Sequence, residues 1–283
     1  MGTNSRVRDL VMTAPDDVRV GESPRAPADT ASVLSLTGIS VRFGGIRALT
    51  DVSLNIERGQ VCGLIGPNGA GKTTLFDVIS GVRRPDAGSV VLDGRDVTGT
   101  SSITRARMGL RRTFQRVQTF GWLSVEDNLL AAIEWEGGGG GILADMVALP
   151  ARRRREKMRR QRVDEAIERC GLASVRHDPA GSLPIGVARM VEVARAVIAR
   201  PTLLILDEPT SGLDNRERDR LGEMLGDGSI GEDCAVLLVE HDIGFVMEHS
   251  GNIYVLNLGE VLAVGAPDEI KANSAVKAAY LGG

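Results

Sequence analysis

The sequence has few aromatic side chains and no excess of positive charge. Phenylalanine, tryptophan and tyrosine make up 3% of the 283 residues, which leaves little material for a surface that stacks nucleic-acid bases. The 37 acidic residues outnumber the 34 lysines and arginines, so the chain lacks the basic excess that neutralises a phosphate backbone. We therefore expect no nucleic-acid partner.

Cysteines and long apolar runs are also scarce. The three cysteines are far apart and form no C-x-x-C pair, which argues against a disulfide framework and a thiolate zinc site. A reducing cytoplasm suits such a chain. No stretch approaches the roughly 18 consecutive apolar residues of a membrane-spanning helix. If the protein serves a membrane, we expect it to do so through another chain.

The pattern of short apolar runs predicts where the folded domain lies. Residues 1–31 combine scattered proline, arginine, aspartate and serine with little apolar periodicity, and we interpret them as a disordered leader. Strand-length runs begin at Val33, and we predict one domain over residues 32–283. Runs at 90–92, 203–206 and 235–239 alternate with helical patterns, which predicts an α/β core with a largely parallel sheet. Residues 253–264 predict a closing hairpin.

Strand patterns disappear between residues 116 and 188. A helix predicted over 151–170 places four apolar side chains on one face: Val163, Ala166, Ile167 and Cys170. We interpret residues 116–189 as a helical subdomain inserted into the α/β core. The five consecutive glycines at 137–141 predict a flexible loop, because such a run is costly to order.

A glycine-rich loop follows the apolar run Val61–Ile65 and precedes a helical pattern, which is the setting of a phosphate-binding P-loop. Glycines let backbone N–H groups approach phosphate oxygens, and the helix adds the positive end of its dipole. Lys72 is predicted to reach the β- and γ-phosphates, Thr73 to ligate Mg²⁺ and Thr74 to add a phosphate contact. The predicted nucleotide-binding residues of the loop are Gly66, Pro67, Asn68, Gly69, Ala70, Gly71, Lys72, Thr73 and Thr74.

Two carboxylates follow the apolar run 203–206. Asp207 and Glu208 stand at the carboxyl end of a predicted buried strand, where ligands bind in open α/β sheets. Asp207 is predicted to hold Mg²⁺, directly or through water, and Glu208 to act as the general base on the attacking water. The alternative is a solvated strand-to-loop turn. The nearby P-loop favours the catalytic interpretation.

Together these motifs resemble the ABC ATPases, from about Val33 to the last residues and in the family's order. The resemblance implies a P-loop NTPase core of the ABC ATPase type, of class α/β, with an inserted helical subdomain and an N-terminal antiparallel β region. It also implies that ATP and Mg²⁺ are bound and ATP is hydrolysed. Gln115 lies where the family's Q-loop glutamine links the Mg²⁺ and attacking water to the helical subdomain. Residues 211–214 are similar to the D-loop.

Two further site residues are implied by the resemblance. His241, in Glu240-His241-Asp242, takes the place of the switch-loop histidine that senses the γ-phosphate. The alternative is an ordinary loop residue, and its position directly after an apolar strand run favours the functional interpretation. Phe43 takes the place of an aromatic that stacks on adenine, the alternative being a core residue at a strand end.

The signature segment departs from the family pattern. Leu183-Pro184-Ile185-Gly186-Val187 occupies the place of Leu-Ser-Gly-Gly-Gln, ahead of a helix predicted over 188–199. The serine hydroxyl that donates to the γ-phosphate is therefore absent. Gly186 keeps a backbone N–H near the start of a helix, whose dipole does not depend on side chains. We predict a weakened or asymmetric contribution of this segment to nucleotide binding across a dimer.

Partners follow from the same resemblance. An ATP is sandwiched between two such chains, so a second ATP-binding subunit is implied, in a homodimer or a heterodimer. A transporter of this family adds two transmembrane permease subunits and, indirectly, an extracytoplasmic substrate-binding protein, which implies a peripheral location on the cytoplasmic face of the membrane. A soluble ABC protein of DNA repair or ribosomes is the alternative, disfavoured by the single cassette without a zinc or coiled-coil insert.

Four segments that are less specific than the catalytic motifs are similar to the ATP-binding subunits of branched-chain amino acid importers. They lie at residues 42–49, 111–115, 183–186 and 272–282. ATPases that serve urea and amide uptake or lipopolysaccharide export share much of this pattern. Residues 120–123 predict either a contact with a permease or core packing of the helical subdomain. The basic residues at 152–162 predict a solvated helix face rather than a lipid contact.

Overall fold

The structure is a computed structural model that describes residues 32–134 and 149–281. The predicted leader and the glycine run at 137–141 therefore lie outside the described residues. Within these ranges the chain forms ten strands in two sheets and nine α-helices. No helix in the described ranges has the length and apolar character that crossing a membrane requires.

The first sheet is antiparallel, as predicted. Its strands are β1 (Ser32–Phe43), β2 (Ile46–Glu57), β4 (Ala87–Leu92) and β5 (Arg95–Asp96), in the order β2-β1-β4-β5. The run at 90–92 was assigned to the parallel sheet, and this prediction was wrong. Leu92 pairs with Leu34 of β1 in an antiparallel register. A short apolar run predicts a strand but does not predict which distant strand it pairs with.

The second sheet is largely parallel. Its strands are β3 (Val61–Ile65), β6 (Leu110–Arg112), β7 (Leu203–Asp207), β8 (Ala235–Val239), β9 (Asn252–Asn257) and β10 (Glu260–Gly265), in the order β10-β9-β3-β8-β7-β6. Only the β9–β10 pair is antiparallel, which confirms the predicted closing hairpin. The sequence did not predict β6, because its three residues include two arginines and form no apolar run.

Helices cover both faces of this sheet. They are α1 (Lys72–Ile79), α2 (Ser102–Arg107), α3 (Val125–Ile133), α4 (Leu149–Arg169), α5 (Ile185–Ile198), α6 (Asn215–Gly226), α7 (Ile243–His249), α8 (Pro267–Ala272) and α9 (Ser274–Leu281). Among the described residues between β6 and β7 there are helices and short 3₁₀ turns but no strand. The four apolar residues predicted to share one helix face are all buried, three of them in α4 and Cys170 directly after its last residue. Helix α5 begins at Ile185, earlier than predicted. It continues past residue 189, the predicted end of the inserted subdomain, which therefore lies inside this helix.

Strand alternation divides the core into two layers. Leu203 and Ile205 of β7 pack with α1 and the antiparallel sheet, whereas Leu204 and Leu206 pack with the helices on the opposite face. Successive side chains of a strand point to opposite faces, so a run buried throughout serves both layers. Full burial of each such side chain stabilises the fold by about 1.5–3 kcal/mol. The central sheet is thereby fixed, and the loops at its carboxyl edge are carried on a rigid base.

Candidate active site

A cleft of about 620 Å³ opens beside the P-loop. The P-loop connects β3 to α1, as predicted, and Asp207 ends β7. Eleven of the predicted site residues line the cleft together: Asn68, Gly69, Ala70, Gly71, Lys72, Thr73, Thr74, Gln115, Asp207, Glu208 and His241. The parallel strands of one sheet bring their carboxyl ends to a common edge, which explains why residues so distant in sequence meet here.

The path of the P-loop requires glycine at two positions. Gly71 has φ +104°, and a Cβ there would lie 2.7 Å from the Ala48 carbonyl oxygen. A Cβ on Gly66 would lie 2.1 Å from the Leu256 carbonyl oxygen. Both contacts are with backbone, which cannot swing away as a flexible side chain can. The loop is therefore pressed against β2 and β9 and holds its shape.

The Lys72 ammonium is bonded to the loop's own carbonyl oxygens. Its Nζ donates to Gly66 O at 2.6 Å and to Pro67 O at 3.1 Å. Burial lowers the pKa of Lys72, and the charges of Glu208 and Asp207 act in the opposite direction. A phosphate entering the cleft would compete for the same three donor hydrogens.

Asp207 is held by an arginine that the sequence did not single out for this role. Arg112 Nη2 donates to Asp207 Oδ2 at 3.3 Å and Nη1 donates to Asp77 Oδ1 at 2.8 Å. The Thr113 hydroxyl accepts the Asp207 backbone N–H at 3.1 Å. Burial raises the pKa of Asp207, while Arg112 opposes that rise. Arg112 thus ties the end of β7 to α1.

Glu208 stands at the centre of a three-residue contact. His241 Nε2 lies 2.9 Å from Glu208 Oε1, and Gln115 Nε2 donates to Glu208 Oε2 at 3.3 Å. Glu208 has φ +50°, an uncommon conformation for a residue with a side chain, and its N–H donates to Val239 O at 2.8 Å. The Glu208 carboxylate thus lines the cleft together with Gln115 and His241.

Residues 49–211 match the family described as ABC transporter. This match covers more than half of the chain and contains the P-loop, Gln115 and both carboxylates. The chain belongs to the ABC transporter family. As a member of this family it binds and hydrolyses ATP. A second, shorter match, to the family described as branched-chain amino acid ATP-binding cassette transporter, covers residues 260–283.

Relatives of this ABC cassette align along most of its length. The chain is 38% identical over 250 residues to the high-affinity branched-chain amino acid transport ATP-binding protein LivG of Salmonella typhimurium, covering 88% of this chain and 98% of LivG. The same identity and coverage hold for BraF of Pseudomonas aeruginosa, which carries the same description. The solved ADP conformation of an ATP-binding cassette of an ABC transporter has a TM-score of 0.73 and 26% identity, covering 90% of this chain and 100% of that one.

The ABC cassette also contains a buried acid beside His241. Glu240 accepts the Thr210 N–H at 2.6 Å and the His241 N–H at 3.2 Å. Burial raises the pKa of Glu240, and these N–H groups oppose the rise. Glu240 therefore joins the switch loop to the loop that follows Glu208. The sequence analysis included Glu240 in the motif around His241, but no local pattern predicted its contact with Thr210.

Four predicted binding residues do not line the cleft. Gly66 and Pro67 contact it through their carbonyl oxygens, which accept from Lys72 Nζ, and the other two are Phe43 and Gly186. Phe43 is 48% exposed, and the Arg83 guanidinium lies over its ring, 3.8 Å from the centroid. One face of the ring is thus occupied by a cation–π contact. Gly186 lies in the first turn of α5, where a Cβ would lie 2.1 Å from Glu217 Oε2 and 2.7 Å from Gly212 O. This turn therefore packs against the D-loop of its own chain.

Proposed function

We propose that this protein is the ATP-hydrolysing subunit of an importer, which drives uptake of branched-chain or related amino acids through two separate permease subunits. The match of residues 260–283 to the branched-chain family is the observation that carries the cargo assignment. It lies outside the catalytic motifs, which many ABC proteins share. Relatives described as branched-chain transport subunits agree with it. We assign the protein to the cytoplasmic face of the membrane.

The residues of the cleft fit ATP with Mg²⁺. Carboxylate, hydroxyl and side-chain amide oxygens are the hard ligands that Mg²⁺ prefers, and Asp207, Thr73 and Gln115 present them to one cleft. These three residues would hold the ion, and Lys72 with the backbone N–H groups of the P-loop would hold the phosphates. When bound, Mg²⁺ supplies positive charge that offsets the charge of the phosphoryl oxygens.

Hydrolysis is assigned to Glu208, with two supporting side chains. The Glu208 carboxylate accepts a proton from the attacking water, and His241 and Gln115 hold the carboxylate from two sides. Phe43 is assigned to the adenine, through the ring face that Arg83 leaves free. Gly186 is assigned to the nucleotide of a second subunit, because it lies in the first turn of α5, where the positive end of the helix dipole favours an anion.

The test is affinity purification of tagged Glu208→Gln protein from membranes in mild detergent with ATP, followed by mass spectrometry. A base-deficient subunit is expected to stay in the ATP-bound dimer. Recovery of two hydrophobic permease chains supports the transport assignment. Recovery of ribosomal or DNA-repair proteins alone contradicts it and favours a soluble ABC protein. Lys72→Ala, which weakens ATP binding, is the matched control and should recover less of either class.

Uptake then tests the cargo. Cells that contain the recovered permease are compared with cells carrying Glu208→Gln for uptake of labelled leucine, isoleucine, valine and urea. Loss of leucine, isoleucine and valine uptake supports the proposal. Loss of urea uptake alone favours an amide importer, and a defect in lipopolysaccharide display with normal uptake favours export.

A further inference from the structure

Charged side chains on one face of α5 bind the backbone around Gln115. Arg189 Nη1 donates to Phe114 O at 2.7 Å, and Nη2 donates to Gln115 O at 2.8 Å. Glu192 Oε1 accepts the Phe114 N–H at 3.1 Å. Arg189 and Glu192 are three residues apart and therefore neighbours on the helix surface, and they pair at 3.3 Å. Three backbone groups of the Q-loop are thus bonded to two side chains of one helix.

The same face of α5 holds the loop a second time, at Gln118. The Gln118 N–H donates to Glu192, and Arg195 donates to Gln118 O. Arg195 also lies over the Phe120 ring, 4.7 Å from its centroid. Arg189 and Glu192 are 3% and 5% exposed, so water competes little for these hydrogen bonds. Burial of Glu192 would be costly without its N–H partners, which ties its position to the loop.

The other end of this helix is the signature segment. Helix α5 begins at Ile185, directly after Pro184, and has no break up to Ile198. The Ile185 side chain lies against Gly212 of the D-loop. A straight helix transmits displacement of its first turn to residues farther along. Movement of the signature segment therefore reaches the side chains that bind the Q-loop.

We propose that Arg189 and Glu192 are positioning residues that make Gln115 move together with the first turn of α5. Engagement of that turn by the nucleotide of a second subunit would then set how Gln115 Nε2 meets Glu208, which is 3.3 Å away here. This coupling rests on the proposed dimer and on the proposed role of Glu208. The attachment of the loop to α5 depends on neither the dimer nor the role of Glu208. The attachment and the coupling can therefore be tested separately.

Hydrogen exchange on the full chain without nucleotide tests the attachment. Glu192→Gln keeps the size of the side chain but has only one acceptor oxygen for two N–H groups. Arg189→Lys keeps the charge but loses the fork that reaches two carbonyl oxygens. Amides of residues 113–119 should exchange at least fivefold faster in both variants. Arg169→Met removes an arginine that donates to Ser229 O at 2.8 Å elsewhere, and it should leave this segment unchanged.

Steady-state ATP hydrolysis tests the positioning role. Both variants should lose at least tenfold in kcat, with the KM for ATP within twofold, because the P-loop contacts remain. Circular dichroism measures the folded fraction of each variant, and kcat is expressed per folded molecule. Unfolding of a variant is then not mistaken for a loss of kcat. Unchanged exchange overturns the attachment. Faster exchange with unchanged kcat overturns the positioning role, and a wild-type chain that does not hydrolyse ATP overturns the proposed function instead.

Discussion

Glu208 and His241 meet across the cleft, with Nε2 of the imidazole 2.9 Å from Oε1 of the carboxylate. The two residues follow neighbouring parallel strands, β7 and β8, at the same edge of the sheet. The histidine therefore reaches the proposed general base directly. Both groups line the same cleft as the P-loop, so a phosphate bound there would approach both of them.

Substitution of two P-loop glycines by alanine should have unequal effects. Gly71→Ala places a Cβ 2.7 Å from Ala48 O at φ +104°, so the loop must shift and ATP binding should be lost. Gly69→Ala meets no atom within 4 Å at φ +78°, and the strain of about 1–2 kcal/mol for a left-handed residue should weaken binding only moderately. Equilibrium binding of a fluorescent ATP analogue measures both. Equal affinities in the two variants would contradict this account of the loop.

Restoring serine in the signature segment should accelerate hydrolysis. Pro184→Ser supplies the missing hydroxyl, and one hydrogen bond to a charged phosphate contributes about 1.5–3 kcal/mol. The hydrolysis rate should rise by at least about tenfold, since 1.4 kcal/mol is a factor of ten. Pro184→Ala removes the proline without adding a hydroxyl and is the matched control. If restoring serine changes neither the hydrolysis rate nor ATP-driven dimerisation, the prediction is wrong.

Removal of Arg112 should destabilise the cassette. Arg112→Met leaves the buried Asp207 carboxylate without its cation, and breaking a buried ion pair of this kind costs about 3 kcal/mol. Urea unfolding of the nucleotide-free protein measures the free energy of unfolding. Arg107→Met changes an exposed arginine on α2 and should have an effect below about 0.5 kcal/mol. Similar values for the two variants would show that the Arg112 pairs contribute little.

The ion pair at the start of α3 should give a pH-dependent contribution to stability. Hydrogen bonding from Arg176 lowers the pKa of Glu126 below its ordinary value. The contribution is therefore fully present above the unfolded-state pKa of about 4.3, and it is lost as the pH falls through the lower folded-state pKa. Glu126→Gln should cost about 1 kcal/mol at pH 7 and progressively less below about pH 4.

Urea unfolding at pH 7 and pH 3 checks this expectation. Glu156→Gln is the control, because its pair with Arg160 is an exposed i,i+4 contact worth about 0.3–0.5 kcal/mol. A difference between Glu126→Gln and wild type that stays constant from pH 7 to pH 3 would refute the linkage to the Glu126 pKa.

Contiguous motifs explain why much of the site was predictable. The P-loop, Asp207 and Glu208 each form a local pattern beside an apolar strand, and the structure brings P-loop residues 68–74 and both carboxylates to one cleft. Arg112 and Glu192 gave no such signal, because their partners lie far away in sequence. Arg112 meets Asp207 across 95 positions, and Glu192 meets Phe114 across 78. Such contacts depend on the packing of the whole chain.

The fold shows the same division between local and long-range information. The α/β alternation, the closing hairpin and the apolar face of α4 follow from periodicity. The partner of β4 and the existence of β6 do not, because they depend on pairing with β1 and β7. The start of α5 at Ile185 instead of residue 188 is a boundary difference of three residues, and Pro184 directly before it suits a helix entry.

The most direct test of the account is ATP binding and hydrolysis by purified Glu208→Gln protein beside wild type and Glu260→Gln. Glu260 is an exposed residue of β10 and serves as the matched control. The account predicts that Glu208→Gln binds ATP with an affinity within about threefold of wild type but hydrolyses it at least a hundredfold more slowly, as loss of a general base requires. Hydrolysis by Glu208→Gln at the wild-type rate would contradict the assignment of Glu208 and, with it, the mechanism built on this cleft.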